Sequence, residues 1–190
     1  MQRIAYYVTA ACWAIFYACW LPSAFVTKKT AVRESILGSF SYRIPVVLAA
    51  IVLIYAPRMP KPMSAVIFPS TTPICVLVVA FCITGLVTCL WARITLGRNW
   101  SSVVVLKVDQ ELVQAGPYRF VRHPIYSGMI LMFAAIVLLV GRAAGILAFG
   151  LFVYSFVLKL RREERMMLRQ FPTTYPEYAE KTKRLVPFII

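Results

Sequence analysis

Residues 124–171 read PIYSGMILMFAAIVLLVGRAAGILAFGLFVYSFVLKLRREERMMLRQF. Two apolar runs, Pro124–Val140 and Ala143–Leu160, are joined through the short GRAAG stretch at Gly141–Gly145. A helix of about 20 apolar residues crosses a bilayer, and so tight a link returns the second helix antiparallel to the first. The second run has no stop signal at its far end. Its sequence continues with good helix formers, so the helix is expected to project beyond the membrane until Pro172.

Three more apolar runs precede this hairpin, at about Ile4–Val26, Ile36–Ala56 and Pro73–Leu96, the second interrupted by Arg43 and Pro45. The chain has 190 residues and is 61% hydrophobic, well above the share usual in soluble domains. The expectation is an all-α integral membrane protein of about five transmembrane helices in one domain. Residues 1–95 would form the N-terminal helices, and residues 96–190 would carry the chemistry. The first run is too long for a secretory signal and lacks a clear cleavage pattern. The stretch APRMPKPMSAVIFPSTTP (56–73) reads as an irregular loop, and Gly97–Tyr118 as chain lying along the membrane interface. A short amphipathic helix is expected near Pro176–Lys181.

Of the 21 Lys and Arg residues, all but Arg3, Arg58, Lys61 and Arg142 fall on one side of this topology, Lys28 and Lys29 among them. That asymmetry puts the N-terminus outside and the tail in the cytoplasm. A net charge of +14 then reads as topogenic charge and attraction to anionic membrane lipid, not as a nucleic-acid surface. Cys12, Cys19, Cys75, Cys82 and Cys89 all lie in apolar runs at spacings of seven. Such residues share a helix face and read as small packing residues. No CxxC pair or nearby histidine suggests a metal.

YRFVRHPIYSG (118–128) holds the only histidine. Pro124 suits the first position of a helix and biases His123 toward extended backbone. The helix start then offers open N–H groups to an anion, while Tyr118 and Tyr126 offer ring faces to a cation. Arg119 and Arg122 add charge. Across the hairpin, KLRREER (159–165) places Glu163 and Glu164 beside that start. These carboxylates read either as a solvated, paired helix end or as acceptors for ligand hydroxyls. There is no GxGxxG after a strand, no phosphate loop and no HExxH.

LGRNWS (96–101), ELVQAGPYRFVRHPIY (111–126), EERMMLRQFPTTYPEY (163–178) and KTKRLVP (181–187) occur in one order. In that order the chain resembles the isoprenylcysteine carboxyl methyltransferase family, within a wider set that includes phospholipid N-methyltransferases. Its length and segment count look like the short prokaryotic members, implying a bacterial or archaeal plasma membrane. The resemblance implies an S-adenosylmethionine-dependent enzyme with a non-Rossmann pocket at the cytoplasmic face. The cofactor would meet Gln110, Glu111, Leu112, Val113, Tyr118, His123, Pro124, Ile125, Tyr126 and Glu163. Leu112 and Val113 would wall the adenine, His123 and Tyr126 would hold the methionine end, and Glu163 the ribose. The tail from Tyr175 to Pro187 would help to close the pocket.

Lys159 stands where the family usually has a substrate-directed arginine. Lys159, Arg122 and Arg162 are the candidate groups for the acceptor, a lipophilic or lipidated molecule entering from the bilayer. A carboxylate acceptor needs no general base. A thiol or amine would need His123 or Glu164 to take a proton, and a lysine could also steer a phosphate head group. Outside methyl transfer, a sterol-reductase-like enzyme using NADPH and a non-enzymatic membrane subunit are the other readings.

Overall fold

In a computed structural model, residues 1–23, 30–33, 35–101, 105–108 and 110–185 are described. Lys28, Lys29, the end of the first apolar run at Val26 and the tail beyond Leu185, including Pro187, lie outside the described residues. Among the described residues six α-helices form: α1 (Gln2–Ser23), α2 (Ile36–Tyr55), α3 (Thr72–Leu96), α4 (Pro124–Val140), α5 (Ala144–Gln170) and α6 (Thr174–Lys181).

Each end has a local cause. Ser35 caps α2 by accepting a 3.1 Å bond from the Gly38 amide. Proline occupies the first turn of both α3 and α4. Gly141 ends α4 with a left-handed φ of 68°, a conformation that an L side chain would strain. Pro45 lies inside α2, which stays helical through it.

The protein is an all-α integral membrane protein. Helices α1, α2, α3 and α5 are long and apolar enough to cross a membrane. The fourth expected segment, Pro124–Val140, coincides with α4, which has 17 residues and spans only about 25 Å. It is bounded by His123 and Gly141, and is packed between α3 and α5. Large apolar side chains such as Tyr7, Ile54, Val87, Ile94 and Ile146 point outward, as lipid-facing residues do.

Two packed layers hold the bundle. In one, α1, α3 and α4 bury Phe16, Leu86, Met132 and four cysteines, Cys12, Cys75, Cys82 and Cys89. Cys19 is exposed. The helices come very close at Gly85 and Gly128, where a Cβ on either would sit 2.5 Å from the other's carbonyl oxygen. In the second layer α2, α4 and α5 close around Phe133 and Phe152, whose rings stack at 3.9 Å.

The 56–73 loop is less irregular than expected. The amides of Ile67 and Phe68 donate to the Gly141 carbonyl, and Arg142 donates to Ser64 O at 2.6 Å. The interfacial stretch after α3 contains a strand, β2 (Val105–Lys107), that pairs antiparallel with β1 (Thr30–Arg33) between α1 and α2. This ribbon ties the first two helices to the site.

Candidate active site

His123, on the connection into α4, has its ring stacked on Tyr126 at 5.3 Å and 4°. Its backbone (φ −126°, ψ 58°) stops short of the extended conformation expected before proline. The first turn of α4 is also less open than expected, because the Tyr126 amide donates to His123 O. The expected row of free N–H groups is therefore reduced, and side chains rather than the helix start dominate this wall.

Beyond Leu160, where the apolar part of α5 ends, two adjacent carboxylates bracket the imidazole. Glu163 Oε2 is 3.5 Å from Nδ1, and Glu164 Oε1 is 3.5 Å from Nε2. Nε2 is buried and not aligned for a hydrogen bond with any group. Burial opposes a charged imidazole, but Glu163 and Glu164 outweigh it and hold the His123 pKa above its ordinary value. Burial likewise opposes the Glu163 carboxylate, yet His123 and Lys159 bring its pKa below the usual range. For Glu164 the partners are His123 and Arg122, which overcome burial and pull the pKa to about 2. Tyr126 donates its hydroxyl proton to Glu163 Oε1.

A cavity of about 460 Å³ opens beside this cluster. It is lined by Gln110, Glu111, Leu112, Val113, Tyr118, Arg122, His123, Ile125, Tyr126, Lys159 and Glu163. Residues far apart in sequence, from the interfacial stretch, α4 and α5, thus face one space. Two of the expected site residues do not line it. Pro124 is fully buried at the start of α4, and Arg162 lies on α5 outside the lining.

Arg122 reaches the cavity, but its guanidinium is engaged elsewhere. Nε donates to Glu164 at 2.9 Å, and Nη1 to the carbonyls of Ala179, at 2.9 Å, and Thr182. Glu164 also receives Arg184 Nε at 3.1 Å. A carboxylate held by two arginines is a poor proton acceptor, so Glu164 does not suit the general-base role considered for it. Lys159 points into the cavity with its ammonium 5.2 Å from the Tyr126 ring and 5.7 Å from the Tyr42 ring, within cation–π range.

Several lining residues carried no signal in the sequence. α1 contributes Phe16, Tyr17 and Trp20, and α2 contributes Tyr42, Arg43 and Val46. Phe16 stacks on Trp20 at 4.1 Å, and Trp20 meets Trp100 edge-on at 6.0 Å. Met167 joins from α5, accepting a long contact from Gln110 Nε2. Nothing in a lone hydrophobic run marks which face looks inward. Tyr175 and Tyr178 of α6, in the tail expected to help close the pocket, also line it, and the Tyr178 hydroxyl donates to Tyr118 O at 2.7 Å. Among the described residues no cluster of His, Cys, Asp and Glu suits a metal.

The fit to S-adenosylmethionine rests on this geometry. The volume lies within the roughly 300–1,000 Å³ of ligand pockets. The orphaned Nε2 of His123 is a buried polar atom that a ligand could partner, and Glu163 and the Tyr126 ring would suit a group that is both hydroxylated and cationic.

Residues 77–169, from α3 to the end of α5, match the model of the isoprenylcysteine carboxyl methyltransferase (ICMT) family. A probable protein-S-isoprenylcysteine O-methyltransferase of Oryza sativa subsp. indica is 33% identical over 101 residues, 52% of this chain and 53% of the relative. Protein-S-isoprenylcysteine O-methyltransferase B of Arabidopsis thaliana is 29% identical over 101 residues, 52% and 51% of the two chains. A nickel-cobalt-cadmium resistance protein of Alcaligenes xylosoxydans xylosoxydans is 31% identical over 98 residues, 49% and 44%. The chain spans about half the length of the curated relatives it matches. Through this central region, which carries His123, Lys159 and Glu163, the chain is similar to the isoprenylcysteine carboxyl methyltransferase family.

Proposed function

We propose that this protein transfers a methyl group from S-adenosylmethionine to a lipophilic acceptor at the cytoplasmic face of its membrane, by carboxyl O-methylation of an isoprenylcysteine-like substrate. The observation that carries the reading is a cavity lined both by His123, Tyr126 and Glu163 and by aromatic side chains of α1 and α2. The charge asymmetry supports a tail and cavity mouth in the cytoplasm and an N-terminus outside.

When bound, S-adenosylmethionine supplies an electrophilic methyl group on a sulfonium. Tyr126 and Tyr118 present aromatic surface to positive charge, Glu163 accepts from hydroxyls, and His123 offers Nε2. Leu112 and Val113 give an apolar wall. Lys159, seated between Tyr42 and Tyr126, attracts an anionic acceptor without a fork that would fix both its oxygens. Phe16, Trp20 and Trp100 exclude water from the acceptor side and accept hydrocarbon.

The state of the carboxylates favours this acceptor over a phospholipid amine or a thiol. Those two must lose a proton before attack. Glu164 is held by Arg122 and Arg184, and Glu163 by Tyr126 and His123. A carboxylate arrives ionised, and orientation in a dry site then supplies the rate.

The test is transfer of a labelled methyl group from S-adenosylmethionine by the purified protein in nanodiscs, with an S-prenylated N-acetylcysteine offered beside phosphatidylethanolamine. Base-labile label in the prenylcysteine is expected. Label retained in the phospholipid after base would favour N-methylation. Calorimetry that detects no binding of S-adenosylhomocysteine would overturn methyl transfer altogether.

A further inference from the structure

Arg122 was a candidate for binding the acceptor, and its surroundings assign it a different task. Its side chain is nine-tenths buried and bonds three partners from two elements: Glu164 on α5, and the carbonyls of Ala179 and Thr182 at the end of α6. Its amide donates to Lys183 O at 2.7 Å, and the next amide, that of His123, donates to Arg184 O at 3.0 Å. Val121 and Lys183 form a parallel bridge. The Ser127 hydroxyl then donates to Leu185 O.

We propose that Arg122 is a positioning residue: it locks the C-terminal strap, residues 178–185, to Glu164, and the two together hold His123 in the cavity wall. The logic is one of satisfied valence. Removing the guanidinium leaves a buried carboxylate short of one partner and two carbonyls short of a donor, which costs more than the bonds are worth when all are made. Glu164 keeps Arg184, but that side chain belongs to the strap itself. The strap would therefore open at the point where its backbone also carries the His123 amide. The groups facing His123 are Glu163 and Glu164 from α5 and Tyr126 from α4, with Arg122 beside it in the chain.

The consequence for cofactor binding rests on the methyltransferase reading, whereas the latch is read without any ligand. Trypsin sites at Lys181, Lys183 and Arg184 are exposed on the strap. In Arg122→Gln, cleavage there should accelerate about tenfold or more, the change expected when a charged hydrogen bond is lost from a locally opening segment. Arg169→Gln, exposed on α5, is the control and should match the wild type. The double variant with Glu164→Gln should cleave faster by less than the product of the two single effects, because the Arg122–Glu164 bond is common to both.

His123 is the only histidine, so one labelled imidazole resonance reports its environment. It should move in Arg122→Gln, and affinity for S-adenosylhomocysteine should fall about tenfold. Arg122→Lys keeps the charge but cannot serve Glu164 and both carbonyls together, so it should rescue neither readout. If Arg122→Gln does not accumulate folded, Arg122→Lys supplies the same comparison. Wild-type protection of the strap with an unmoved histidine resonance would overturn the proposal, as would additive effects in the double variant. Loss of methyl transfer with an intact latch would instead count against the functional reading.

Discussion

Glu163 illustrates how much one side chain carries at this site. It accepts from the Tyr126 hydroxyl, lies 3.5 Å from His123 Nδ1, and stands one turn beyond Lys159. Glu163→Gln keeps the shape but removes the charge that two cations share. Affinity for S-adenosylhomocysteine should fall by at least about tenfold, read by calorimetry on protein whose helical signal is unchanged. The neighbouring imidazole gives a pH signature. Its folded pKa is raised, so its contribution to stability is complete below the unfolded value of about 6.5. That contribution is lost as pH rises through the higher folded value. Wild-type thermal stability should therefore drop more between about pH 6 and pH 9 than that of His123→Asn; parallel pH curves would remove the role given to the two carboxylates. The sequence brought Glu163 toward His123 through the hairpin alone. It hid the commitment of Arg122, since a basic residue beside a histidine looks the same whether it meets a substrate or its own C-terminal segment.

Among the elements, α3 and α4 are joined where neither has a side chain. A methyl group on Gly128 would sit 2.5 Å from Gly85 O and 2.6 Å from Cys89 Sγ. The same approach lets the Cys89 thiol donate to Ile125 O at 3.4 Å. Gly128→Ala should destabilise the bundle by about 1–3 kcal/mol, since overpacking forces the helices apart. Gly150→Ala on α5 meets nothing within 4 Å and should be neutral or gain up to about 1 kcal/mol in helix propensity. Thermal unfolding of both variants in one detergent makes the comparison, and equal effects would contradict close packing at the crossing. Proline and glycine made the ends of α4 readable, at Pro124 and Gly141. The β1–β2 ribbon was not readable, because strands of four and three residues more than 70 positions apart have no periodicity to show, and α2 and α3 lie between them in the chain.

At the scale of the whole molecule, the cavity is built from two parts of the chain with different histories in the sequence. The wall with His123, Tyr126, Lys159 and Glu163 falls within the matched region, residues 77–169. The aromatic lining of Phe16, Trp20 and Tyr42 lies outside it on α1 and α2. Those helices looked like plain spans because aromatic residues in a lipid-facing helix and in a cavity-facing helix are the same residues. The division suggests separable tasks, with the donor held by α4, α5 and the strap, and the acceptor's hydrocarbon held by α1 and α2. Trp20 is the sharpest probe. It stacks on Phe16 and meets Trp100 edge-on. Trp20→Ala removes apolar contact worth about 2 kcal/mol, so KM for a prenylated acceptor should rise by about 10- to 100-fold, with affinity for S-adenosylhomocysteine unchanged. Shortening the acceptor's prenyl chain should cost the variant less than the wild type, because the surface that rewarded length is gone. If Trp20→Ala weakens donor binding as much as acceptor binding, the two halves of the cavity act as one site, and the assignment of acceptor recognition to the N-terminal helices fails.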